Sequence, residues 1–142
     1  MISYNTQGVK APKLAKRLTN AWLRAVAKKS GKKVGELAYI FTDDPGILAV
    51  NKQYLSHDYF TDVITFDYCE DDVLSGDVFI SLDTVRSNAE DYKVSFENEL
   101  YRVLIHGLLH LTGQDDKTDE TQAQMTIKEN EALQMWKDAQ TQ

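Results

Sequence analysis

Two histidines four residues apart stand in the stretch His106-Gly107-Leu108-Leu109-His110-Leu111-Thr112-Gly113-Gln114-Asp115-Asp116. On a helix of about 3.6 residues per turn, side chains at this spacing leave one face and bring their rings together. Such a pair can grip one metal ion. Gly113 comes directly after the apolar periodicity, where a left-handed residue commonly ends a helix, and the turn beyond it can swing Asp115 or Asp116 back toward the rings. Two nitrogens and one carboxylate oxygen, with a fourth position left to water, is the ligand set of a catalytic zinc. The chain has three histidines in all, and two of them are in this stretch. A divalent ion held there lowers the pKa of water and polarises a phosphoryl oxygen, so hydrolysis is the natural reaction. Zinc peptidases of the HExxH type carry a general-base glutamate directly after the first histidine. Here that position is Gly107, which argues against peptide hydrolysis and toward phosphodiester cleavage.

The elements that must position these groups follow from periodicity. Phe96 to Ile105 is an apolar run without proline, capped by Ser95, and the histidine stretch ends that helix. Glu99 lies two turns before His106 on nearly the same stripe, some ~10 Å away at ~1.5 Å per residue, and a structural ion pair suits it better than support of an imidazole. Upstream, Ile2–Asn5 reads as an edge strand. Pro12 to Lys29 reads as an amphipathic helix with Leu14, Leu18, Ala21, Trp22 and Ala25 inward, closed by Gly31. Glu36–Thr42 is a strand; Asp43 or Asp44 then caps a helix that ends near Leu55. Ser56–Phe60 is a loop carrying an exposed His57. Val63–Tyr68 and Val78–Leu82 are strands that pair most simply as a hairpin across an acidic turn, Cys69–Ser75, with a longer crossover as the alternative. A helix runs from Asp83 toward Tyr92, and the last helix starts at Thr118 or Asp119, with Gln134–Gln142 frayed. Four strands and four or five helices make an α+β fold: a single layer of small mixed four-stranded sheet covered by helices.

The chain of 142 residues is the size of one domain, 1–142, with an ordinary 42% hydrophobic and 27% charged composition. No window approaches the roughly 20 apolar residues of a membrane span, and there is no charged leader followed by an apolar run. The one cysteine, Cys69, suits a reducing compartment, so a cytoplasmic location is expected. Net charge is −6, yet residues 1–35 hold nine basic residues and no acidic one, leaving a balance of −15 for the rest. Lys13, Arg17, Arg24 and Lys28 form a stripe along the first helix. A local basic footprint on an acidic protein is what a docking surface for phosphates looks like.

The histidine stretch resembles the signature of the bacterial YbeY family, metal-dependent endoribonucleases that act in ribosomal RNA maturation: HGxLHLxGxDH there, HGLLHLTGQDD here. Asn51 to Phe66 is similar to the segment leading into TDVLSF, Gly76–Ser81 to GDIxIS, and Met125 with Glu129 to MxxxE. The resemblance spans roughly residues 36 to 135. It implies a YbeY-like metalloprotein fold, a zinc site of His106, His110 and Asp116, and single-strand-specific cleavage in maturation of the 3′ end of small-subunit (16S) ribosomal RNA and in ribosome quality control. Its implied partners are ribosomal RNA and small-subunit ribosomal proteins. Two positions depart from the pattern. Asp116 replaces the third histidine, making the site more anionic and harder and admitting other divalent metals. Leu55 replaces an arginine that handles RNA, a role that Lys52 can take over. Both departures also feed an alternative, a non-catalytic RNA-binding ribosome-assembly factor with a structural metal.

Overall fold

The computed structural model describes residues 1–55 and 63–141; the loop expected at Ser56–Phe60, with His57, lies outside them, as do Thr61 and Asp62 of the family motif. Among the described residues the order is β1 (Ile2–Thr6), α1 (Lys16–Lys29), β2 (Lys33–Thr42), α2 (Asp44–Leu55), β3 (Val63–Asp67), β4 (Val73–Ser81), α3 (Leu82–Tyr92), α4 (Phe96–Leu111) and α5 (Asp119–Gln140). The sheet runs β1-β2-β4-β3. β1, β2 and β4 are parallel, and β3 closes the hairpin antiparallel to β4. The mixed α+β sheet is therefore as expected.

Alternation along the two central strands sends side chains to two layers. Leu37, Tyr39 and Phe41 of β2 and Leu74, Val78 and Ile80 of β4 enter the main core, with buried residues of α1, α3, α4 and α5. On the opposite face Ile47 and Val50 of α2 pack with Ile64 of β3, flanked by Phe66 and Phe79. Each such buried aliphatic chain contributes about 1.5–3 kcal/mol relative to exposure. The helices thus divide unevenly: α2 covers one face, and the four others build the face that carries the histidines.

β4 begins at Val73 rather than Val78 because the longer β2 offers it partners from Lys33 onward. The hairpin turn is correspondingly tight, with Glu70 bridged to Val73 and Asp71 at φ 53°. α1 starts at Lys16, four residues after Pro12, since no side chain in the approach caps the helix. Its buried residues are Thr19, Trp22, Leu23, Val26 and Ala27, while Ala21 and Ala25 are exposed. Trp22 is inward as expected and Leu14 and Leu18 pack against the core, but the inward face is rotated away from Ala21 and Ala25 toward Leu23 and Val26. Thr19 tolerates burial because its hydroxyl meets that of Tyr101 at 3.0 Å.

α5 does not fray at Gln134. Trp136 stacks on Tyr101 with ring centroids 4.2 Å apart, and the Trp22 indole donates to the Ala132 carbonyl at 2.7 Å. Those interactions hold α5 to α4 and α1 through its last turns. In the same core, Tyr39 donates its hydroxyl to the Leu104 carbonyl at 2.8 Å, and burial raises its pKa well above the usual phenol value.

Candidate metal centre

α4 carries the histidine pair, and two glycines fix where that pair stands. A Cβ at Gly107 would lie 2.7 Å from Cγ1 of Val78, so the helix backbone rests on β4 more closely than any other residue permits. The position after His106 is thus a seat on the sheet and has no room for the base of an HExxH peptidase. Gly113, at φ 101°, ends the helix. Its N–H donates to the His110 carbonyl at 3.0 Å and that of Gln114 to the Leu109 carbonyl at 3.1 Å, the paired bonds of a Schellman turn.

The returning chain brings an aspartate to the rings. Asp115 shapes the turn, its Oδ1 accepting from the backbone N–H of Asp116 at 2.8 Å and of Lys117 at 3.2 Å. Asp116 points inward, with Oδ2 3.3 Å from Nε2 of His106 and 3.4 Å from Nε2 of His110. The two Nε2 atoms are 2.9 Å apart. These three residues form a group that can hold a metal ion.

The other ring nitrogens decide the fit. Nδ1 of His110 is 3.1 Å from the Gln114 carbonyl, which can only accept, so Nδ1 carries the proton. Nδ1 of His106 is 2.6 Å from Oε2 of Glu129, whose other oxygen accepts from Arg102 at 2.9 Å. An ionised carboxylate likewise accepts only. A ring that carries its one proton on Nδ1 keeps an Nε2 lone pair for a metal, and here the two Nε2 atoms face each other and a carboxylate oxygen. Such a convergence of lone pairs calls for a cation. Zinc bonds of about 2.0–2.1 Å at tetrahedral angles put ligand atoms about 3.3–3.4 Å apart, which matches both aspartate distances; the two nitrogens stand somewhat nearer. The three side chains are between 22% and 33% exposed, so a substrate can reach them from solvent.

In the sequence Glu129 carries only a motif match, without a chemical role. Glu99 is buried on α4, but the carboxylate on the His106 ring is Glu129. A physical signal is available: Glu129 interrupts the otherwise apolar stripe Met125, Ala132, Leu133 and Trp136 of α5, and a buried carboxylate requires a partner.

Lys13, Arg17, Arg24 and Lys28 are exposed, the last three along the outward stripe of α1. Lys52 is exposed too, but on α2, across the sheet from that stripe. Leu55 ends α2. A groove of about 440 Å³ separates the last turn of α1 from the back of the Gly113 turn, with Lys29, Leu109, Gly113, Lys128 and Glu131 among its walls.

Fold and site together define an α+β protein with a two-histidine, one-carboxylate cluster suited to a divalent cation. The profile of the endoribonuclease YbeY family matches residues 1–137. The chain belongs to that family. It is 58% identical over 133 residues to the endoribonuclease YbeY of Phocaeicola vulgatus, covering 94% of this chain and 96% of that one. The endoribonuclease YbeY of Bacteroides thetaiotaomicron is 54% identical over 134 residues, with 94% and 98% covered. The solution structure of TM1509 from Thermotoga maritima is similar at a TM-score of 0.65 and 27% identity, over 97% of this chain and 93% of that one. No helix among the described residues is long and apolar enough to cross a membrane.

Proposed function

We propose that the protein is a metal-dependent endoribonuclease that cuts single-stranded RNA during maturation of the 3′ end of 16S ribosomal RNA and in ribosome quality control. The observation that carries this reading is the meeting of the two histidine Nε2 atoms and the Asp116 carboxylate at one partly exposed point. His106, His110 and Asp116 hold the cation, with zinc the first candidate and manganese admitted by the harder oxygen ligand. When bound, the ion supplies acidified water and polarisation of a phosphoryl oxygen. The protein's own contribution is to fix both imidazole tautomers and to keep the cluster accessible from one side.

The relatives named endoribonuclease YbeY support the reaction, and the absence of a base at Gly107 fits an attack on phosphodiesters rather than peptides. The exposed Arg17, Arg24 and Lys28, with Lys13 before them, give the RNA backbone a basic track, and Lys52 offers a separate anchor on the other side of the sheet. In the cytoplasm the partners are ribosomal RNA and proteins of the small subunit.

Purified protein loaded with zinc or manganese should cleave single-stranded RNA, and His106→Ala and His110→Ala should not. Equal cleavage by all three proteins would dispose of the reading. RNA binding without cleavage, with any bound metal serving only stability, would instead support a non-catalytic assembly factor.

A further inference from the structure

The proposed ligands account for the histidines of α4 but leave Arg102, one turn upstream on the same stripe. Its side chain is 29% exposed and spans two residues of α5. Nη1 donates to Oε1 of Glu129 at 2.9 Å and Nη2 to Oδ1 of Asn130 at 2.8 Å. The second oxygen of Glu129 meets Nδ1 of His106 at 2.6 Å. Glu129, whose side chain is 9% exposed, is therefore fastened at one oxygen and holds the imidazole with the other.

We propose that Arg102 is a positioning residue for the cation site: by clamping Glu129 it keeps the His106 ring in the orientation and tautomer that aim the Nε2 lone pair at the ion. The proposal rests on the metal reading of the cluster. A glutamate has three rotatable bonds, and without its clamp the carboxylate would be free to leave Nδ1 for water. The planar guanidinium fork engages Glu129 and its chain neighbour at once, which fixes the direction of approach as well as the charge. A lysine has a single point charge on a flexible stem and reproduces only part of this. Partners that orient a ligating histidine typically matter by about 10–100-fold in metal affinity.

Two measurements test this on the full chain. Nitrogen-15 NMR of the chelator-stripped protein, taken at a pH high enough that the imidazoles are neutral, reads which ring nitrogen of His106 bears the proton; competition with a chromophoric chelator reads zinc affinity. The wild-type protein should carry the proton on Nδ1. Arg102→Met should mix the tautomers and weaken zinc binding by about 10–100-fold, with Arg102→Lys between the two. In a Glu129→Ala background, Arg102→Met should cost nothing further, because its effect runs through Glu129. An unchanged tautomer and affinity in Arg102→Met, or additive losses in the double variant, would overturn the proposal. Should Arg102→Met fail to fold, Arg102→Lys and Asn130→Ala carry the same measurements, each expected to show a smaller loss in the same direction and each overturning the proposal if it shows none. A wild-type protein that takes up no zinc would remove the metal reading, and the tautomer measurement would still decide the role of Arg102.

Discussion

α4 and α1 pack on the same face of the sheet and each carries a polar stripe, but the two stripes are held in opposite ways. On α4 the polar groups turn toward α5 and the returning chain. Arg102, His106 and His110 each have hydrogen-bond partners between 2.6 and 3.1 Å. On α1, Arg17, Arg24 and Lys28 stand out in solvent. A chemical site needs atoms fixed to fractions of an ångström, whereas an electrostatic track needs only charge of one sign along a surface. The first should therefore fail sharply when one atom is removed, and the second gradually.

The largest effect is expected at Asp116. Asp116→Ala removes one of the three proposed ligands and should lower zinc affinity by more than about 100-fold, beyond the usual loss for a residue that merely orients a ligand. RNA cleavage at limiting zinc should fall with it. Asp116→His restores a third ligand with a softer nitrogen and should shift preference from manganese toward zinc. Chelator competition with both metals, against cleavage rates, checks this; equal affinities in all three proteins would show that Asp116 is no ligand.

The α1 stripe should respond by degrees. Replacing Arg17, Arg24 and Lys28 together with glutamine should weaken single-stranded RNA binding by about tenfold at low salt. The slope of log affinity against log salt should shrink by about 0.7 for each phosphate that is no longer neutralised. Zinc affinity should be unchanged, since these residues lie outside the cluster. Lys52→Gln, across the sheet, should have a separate and smaller effect. A triple variant with wild-type affinity and salt slope would take α1 out of the RNA path.

The same contrast explains what the sequence discloses. The histidine pair, the stop at Gly113 and the returning aspartate are local, all within eleven residues, so helical spacing and turn chemistry are enough to bring them together. Glu129 and Arg102 meet His106 only because α5 packs against α4, a tertiary fact that no single helix records. On α1 periodicity misplaces the inward face because alanine and threonine give little hydrophobic contrast. Burial of Thr19 depends on a hydroxyl partner 82 residues away. The sheet is legible in its elements, but the division of helices between its faces requires β4 to lie beside β2, a long-range pairing.

The smallest and most discriminating effect compares the ends of the two helices. α1 closes as α4 does: Gly31 has φ 73°, its N–H donates to the Lys28 carbonyl at 2.9 Å, and that of Lys32 donates to the Ala27 carbonyl at 3.0 Å. A Cβ at Gly31 or Gly113 meets nothing within 4 Å, so replacement by alanine costs backbone strain alone, about 1–2 kcal/mol. Gly31→Ala and Gly113→Ala should therefore both lower stability to denaturant, Gly113→Ala the more because its φ lies further from the left-handed well. Only Gly113→Ala should also weaken zinc binding, because only its turn presents a carbonyl, that of Gln114, to a histidine Nδ1. Equal zinc affinity in the two variants would mean that the turn ends the helix without setting the tautomer of His110.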